Sequence, residues 1–112
     1  MSIYQVIHAG THKGFDISYE FAHEDLRLED MLDDDHFCIR DMYQEINDGD
    51  LAFFQVTCVA KREGLRLGHA TLGGCIYSNE SEFLADDYAA DLLDEAINEA
   101  RQVLSNLIER VA

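Results

Sequence analysis

Apolar residues along this chain alternate, then recur every three or four positions, and then repeat both patterns. Phe15, Ile17, Tyr19 and Phe21 point one way and Asp16, Ser18, Glu20 and Ala22 the other, the period-two pattern of a half-buried strand. The β-rich run Ile3 to His8 precedes it, and Ala9-Gly10-Thr11-His12-Lys13-Gly14 supplies turn residues, so a hairpin with a longer loop is predicted. Phe37, Ile39, Met42, Tyr43 and Ile46 then form an approximate helical stripe. Asp33, Asp34 or Asp35 would cap that helix, and Asn47-Asp48-Gly49-Asp50 would end it, with Gly49 as a left-handed stop. Leu51 to Lys61 alternates again, with Phe54, Val56, Cys58 and Ala60 on one face. Arg62-Glu63-Gly64 turns the chain and Leu65 to Leu72 returns it, with Gly73-Gly74 marking a bulge or bend before Cys75-Ile76-Tyr77. Asn79 and Glu82 have capping-box spacing, and Tyr88, Leu92, Ala96, Ala100, Val103, Leu104, Leu107 and Val111 trace a long final helix. The order is ββαββα. The expected fold is α+β: one compact domain over residues 1–112, with a four-stranded antiparallel sheet and two helices packed on one face.

Charge changes this picture more than composition does. Hydrophobic residues make up 47% of the chain, enough to build a core and to argue against disorder. The net charge is −15, from 8 basic and 23 acidic residues, and the acids fall in two blocks. Between Glu24 and Asp50, eleven carboxylates, including Asp33, Asp34 and Asp35, are opposed only by Arg27 and Arg40. Between Gly68 and Ala100, Glu80, Glu82, Asp86, Asp87, Asp91, Asp94, Glu95 and Glu99 meet no Lys or Arg. Such a surface repels nucleic acid and anionic membrane and attracts basic protein. Asp87/Asp91, Asp91/Asp94, Asp91/Glu95 and Glu95/Glu99 are i,i+3 or i,i+4 pairs. Their Cβ atoms lie about 5–6 Å apart on a helix, not far from the roughly 3.4 Å rise per phosphate along a DNA strand. Such a row can therefore imitate a phosphate track locally. The competing reading is a solvated helix face.

Other chemistry finds little support in the spacing. His8 and His12 have H-x-x-x-H spacing, but Gly10 interrupts them and the flanks read as strand and turn, so no metal is expected there. Asn47-Asp48-Gly49-Asp50 fails the EF-hand pattern, because Gln44, Ile46 and Gln55 occupy ligand positions. No phosphate-binding glycine motif occurs, and no base is placed beside Cys75, so neither a cofactor nor catalysis is expected. Cys38, Cys58 and Cys75 are odd in number and sit among apolar neighbours, as reduced core or near-core thiols of a cytoplasmic protein do. Met1-Ser2-Ile3-Tyr4-Gln5 lacks the basic region and apolar run of a signal peptide. Lys61, Arg62 and Arg66 make a small basic spot at a hairpin tip, too weak for nucleic acid and suited to pairing with acids of this chain or of a second subunit.

In size, charge and mixed α/β layout, the blocks around Asp33-Asp34-Asp35 and Asp86-Asp87…Asp91…Asp94-Glu95…Glu99 resemble the small acidic anti-CRISPR and anti-restriction proteins of phages and plasmids. That resemblance implies a DNA-mimicking inhibitor, not an enzyme, that occupies the basic nucleic-acid-binding surface of a host defence complex. The partner-binding residues would then be Asp33, Asp34, Asp35, Asp86, Asp87, Asp91, Asp94, Glu95 and Glu99. No membrane or direct nucleic-acid contact is implied, and a homodimer is compatible. Gly74-Cys75 with Asp94-Glu95-Ala96-Ile97-Asn98-Glu99-Ala100-Arg101 is similar to the Gly-Cys and Glu-Ala helix of HicB-type antitoxins, in which the helix begins sooner after the Gly-Cys. This second likeness implies an antitoxin masking a basic toxin. A small ligand-binding or enzymatic domain, with a pocket between sheet and helices, is the third alternative.

Overall fold

The computed structural model describes residues 2–25, 27–32 and 38–111. Strands β1 (Ile3–His12), β2 (Phe15–His23), β3 (Ala52–Arg62) and β4 (Leu65–Tyr77) form an antiparallel sheet in the order β1-β2-β3-β4. Helices α1 (Leu28–Met31) and α2 (Ile39–Asn47) lie between β2 and β3, and α3 (Glu80–Leu84) and α4 (Asp87–Val111) follow β4. The class is α+β as expected, but the helical layer differs from the expected pair. α4 lies along β3 and β4 with α3 against its start, while α1 and α2 make only sparse contact with the other elements. The reason lies in the lengths and stripes. α2 has 9 residues and buries only Ile39, too little apolar surface to cover a sheet. α4 has 25 residues and buries Ala89, Leu92, Ala96, Ile97 and Ala100.

Both hairpins turn tighter than their sequences suggest. Lys13 (φ 53°) and Gly14 (φ 86°) join β1 to β2, and Glu63 (φ 52°) and Gly64 (φ 80°) join β3 to β4. Two successive left-handed residues have the twist of a type I′ turn, which matches that of the flanking strands. Ala9 to His12 therefore extend the first strand instead of looping. Arg62 fastens the two tips together: Nε donates to the Gly14 carbonyl at 3.2 Å, and the guanidinium lies 4.5 Å from the centre of the Phe15 ring. Arg66 reaches Glu20 at 3.2 Å. Two cations of the small basic spot are thus engaged with the chain itself.

The core is the side of the sheet facing α4. Phe15, Ile17, Tyr19 and Phe21 of β2 meet Phe54, Val56, Cys58 and Ala60 of β3 there, as the alternation requires. At one end, Phe21, Phe54 and Tyr77 surround Phe83 of α3 edge to face, with centroids 5.5–6.3 Å from its ring. At the other, Gly68 of β4 lets the backbone of α4 sit directly on the strand. A Cβ on Gly68 would collide with the Ala96 carbonyl oxygen and lie 2.6 Å from the Ala100 nitrogen.

Several local features match the sequence reading. Gly49 (φ 83°) stops α2 in a Schellman arrangement, with its N–H on the Ile46 carbonyl and that of Asp50 on the Glu45 carbonyl. The Asn79 side chain accepts the Glu82 N–H at 3.0 Å and caps α3. The register of β3 and β4 shifts opposite Gly73-Gly74, the expected bulge, and the Gly74 N–H donates to the Glu24 carboxylate. The expected cap at Asp33, Asp34 or Asp35, and Phe37, lie outside the described residues. The described helix begins at Ile39 instead, after Cys38, which makes no side-chain cap bond.

Two of the three thiols are core residues; Cys38 is exposed, contrary to expectation. Burial pushes the Cys58 and Cys75 thiols up to about 11, so both stay protonated near neutrality. One thiol per folded chain, Cys38, should therefore react with a disulfide reagent at pH 8, and the other two only after denaturation. Fast reaction of three thiols in the native protein would contradict this burial.

Candidate functional site

The candidate site is built on the outer face of α4. A helix turns 100° per residue, so Asp94, Asp87, Asp91, Glu95 and Glu99 fan over an arc of roughly 140° opposite the buried stripe. All five are exposed. From Asp87 to Glu99 the row runs along about 18 Å of helix axis. Asp87, Asp91, Asp94 and Glu95 form no ion pair among the described residues. Glu99 lies 3.4 Å from His69 Nδ1 at the edge of β4. The row therefore has little compensation from this chain's own cations and is free to meet another molecule's.

Asp86, the first acid of the set, has a different part. It is half-buried, and its carboxylate accepts the Tyr77 hydroxyl at 2.8 Å. Burial and that bond push the Tyr77 phenol up to about 12. Two other tyrosines hold the same region. Tyr4 of β1 donates to Glu80 at 2.7 Å, and Tyr19 of β2 donates to the Ala89 carbonyl at 3.1 Å. Burial raises both phenols strongly, so all three remain donors at any ordinary pH. Phenols from three strands thus hold the start of α3, the α3–α4 junction and the first turn of α4, which together set the direction of the acid row. Asp86 positions that row through Tyr77.

Tyr88 was expected in the buried stripe, yet it is 57% exposed. It sits at the border of the stripe, about 40° from Leu92 on the helical wheel, where the edge of β4 leaves it uncovered. Beside it runs a shallow trough. One depression of about 500 Å³ is lined by Tyr77, Glu82, Ala85, Asp86 and Asp87. A second of about 370 Å³ shares Tyr77 and reaches Tyr88 past Gly73 and Gly74. A third of about 280 Å³ continues from Tyr88 to Asp91 and Glu95. Carboxylates flanking an exposed aromatic suit Lys and Arg side chains, which salt-bridge to the one and stack on the other. The acid spacing was legible in the sequence; the role of Tyr88 was not.

No family model, no curated protein and no solved structure matches the chain. Asp33, Asp34 and Asp35 lie outside the described residues, and the other expected contact residues, Asp86, Asp87, Asp91, Asp94, Glu95 and Glu99, lie on α4 or immediately before it. The acids around it do not resemble a metal centre: among the described residues, no group of three or more His, Cys, Asp or Glu is arranged to hold an ion. His8 and His12 lie on β1, not on one face of a helix. No helix among the described residues is long and apolar enough to cross a membrane.

In the first acid block the charges are partly used internally. Arg27 pairs with Asp30 at 3.4 Å and Glu29 at 3.7 Å, all three exposed. Glu24 is bound at the β4 bulge. Asp41, Glu45, Asp48 and Asp50 are exposed on and after α2, with Asp48 accepting from Gln44 at 3.0 Å. The α4 row differs in being both regular and without Lys or Arg.

Proposed function

We propose that this chain is an acidic docking protein, without chemistry of its own, that covers a basic nucleic-acid-binding surface of a host defence complex such as a CRISPR effector or a restriction enzyme in the cytoplasm. The observation that carries this reading is the exposed, cation-free row Asp87, Asp91, Asp94 and Glu95 on a rigidly seated helix. Anionic groups at fixed spacing on a firm support suit a surface built for a polyanion, because little ordering cost remains on binding. Tyr88 adds an aromatic anchor within the acid field, of the kind that concentrates binding energy at protein interfaces. Two acid blocks on one small domain also raise the rate of encounter with a basic partner.

The test uses purified effector or restriction complexes. Direct binding of the protein to the immobilised complex, measured from about 50 to 300 mM salt, should weaken by at least about tenfold. At low salt the protein should displace duplex DNA from the same complex. Binding that leaves DNA in place, or that ignores salt, contradicts the proposal. Selective binding to a small basic toxin would favour the antitoxin reading instead.

A further inference from the structure

β1 is the edge of the sheet that α4 leaves bare. Among the described residues its outer row of backbone N–H and C=O groups has no strand beside it, since β1 is the end of the order β1-β2-β3-β4. Nine of its ten residues are exposed, Ile7 alone being half-buried, and Ile3, Tyr4 and Val6 are 46%, 40% and 43% exposed. Proteins ordinarily blunt such an edge with Lys, Pro, inward charge or bulges, and a regular, uncharged stretch between bulges stays open to pairing. Here the strand IYQVIHAGTH holds no Asp, Glu, Lys or Arg, and the first acid of the chain is Asp16. Two register shifts, between Ile3 and Gln5 and between His8 and Thr11, bracket a regular stretch from Gln5 to His8.

We infer that β1 pairs antiparallel with β1 of a second copy, joining two four-stranded sheets into one of eight strands about a two-fold axis. The charge distribution selects this occupant. Two copies at −15 each repel wherever uncompensated acids face, but β1 itself carries no charged residue, and two of the acids beside it are engaged within the chain, Glu80 by the Tyr4 hydroxyl and Glu20 by Arg66. A basic partner would gain nothing from an uncharged strand and would be drawn to the acid faces instead. Antiparallel self-pairing is also isologous, so the contact closes at two copies and does not propagate. It sets Ile3, Val6 and Ile7 of the two chains on shared faces, where cross-strand apolar pairs form. The α4 rows stay at the far sides of the joined sheet, free for other partners. A contact confined to one strand from each copy is small, so the dimer belongs in the micromolar range.

Like-charge repulsion makes the salt response opposite in sign to that of partner docking. Sedimentation or light scattering, from about 10 to 500 µM protein, should show the mass rising from 12.7 kDa toward twice that value, with a dimer Kd that falls as salt is raised. Val6→Lys should weaken the dimer at least about tenfold without unfolding the chain, because Val6 is exposed and lies opposite Glu20 on β2. Amide exchange supplies a check that needs no variant: protection over residues 3–9 should rise with protein concentration while the rest of the sheet stays constant. A monomer at every concentration and salt overturns the inference. So does a dimer unaffected by Val6→Lys whose β1 amides exchange freely, or β1 protection that arises only with a different protein. None of these outcomes depends on what α4 binds.

Discussion

Gly68→Ala should lower the melting temperature by roughly 12–24 °C, equivalent to about 3 kcal/mol or more at the usual sensitivity of a domain this size. Gly68→Val should leave little folded protein. The reason is the absence of any side-chain layer between α4 and β4 at this point. A Cβ on Gly68 collides with the Ala96 carbonyl oxygen and would lie 2.6 Å from the Ala100 nitrogen and 2.9 Å from the Ala100 Cβ. Two of those three atoms are backbone, so no rotamer change relieves the contact; the helix has to move. Moving it loosens Ala89, Leu92, Ala96, Ile97 and Ala100 from the sheet together, since one rigid helix carries them all. Domains of this kind are stable by only about 5–15 kcal/mol, so the loss is a large share of the total. Gly10→Ala is the control. Gly10 also has a positive φ, 78°, but no atom lies within 4 Å of the added Cβ. It should cost only the conformational penalty, about 1–2 kcal/mol. Thermal unfolding followed by circular dichroism compares them. A Gly68→Ala protein that melts within a few degrees of the parent would mean that α4 does not rest on β4 as described.

Gly68 also shows where the sequence stops speaking. Nothing in Leu67-Gly68-His69 marks that glycine as a seat for a helix 28 residues downstream at Ala96; the requirement exists only once α4 is folded back. Features set by neighbours in the chain were legible. Gly49 as a stop, Asn79 as a cap and Gly73-Gly74 as a bulge each follow from one local conformation. The alternation in β2 and β3 correctly named the core face, because a strand's period has one answer. The loop expected from Ala9 to Gly14 failed for the converse reason. Its residues are turn-like singly, yet the pairing of Thr11 with Asp16 and of His12 with Phe15 keeps them in the sheet. Lys13 and Glu63 then take left-handed conformations that their identities do not advertise. The helical layer was misjudged because the stripe from Ile39 to Ile46 is real but short, and a stripe alone does not say what it packs against. Likewise, the i,i+4 spacing of the acids disclosed the row on α4. Its aim depends on Tyr4, Tyr19 and Tyr77, which reach the start of α3, the first turn of α4 and Asp86 between them from three separate strands.

Reversing charge at the centre of that row, Asp91→Lys with Glu95→Lys, should weaken binding to the basic partner by about 2–4 kcal/mol, roughly 30- to 1,000-fold in Kd. It should leave the fold nearly untouched. Both side chains are exposed and form no ion pair among the described residues. The parent helix bears four like-charge pairs, Asp87/Asp91, Asp91/Asp94, Asp91/Glu95 and Glu95/Glu99, each opposing helix formation by about 0.2–0.5 kcal/mol. In the variant, Lys at 91 faces Asp87 and Asp94, and Lys at 95 faces Glu99, so three of the four become attractive and only the 91/95 pair still repels. Stability should therefore stay level or rise slightly. That opposition separates the two accounts of the row. A solvated face kept for solubility has no reason to retain four repulsive pairs in line, and its reversal would change neither inhibition nor affinity. A docking face tolerates the internal cost because a partner's cations relieve it on binding. The paired measurement is the melting temperature of the variant alongside its affinity for the complex and the salt slope of that affinity. An unchanged melting temperature with a lost, salt-flattened interaction supports the docking face. Full affinity with an unchanged salt slope would return these carboxylates to the solvent and remove the basis for reading α4 as a contact surface.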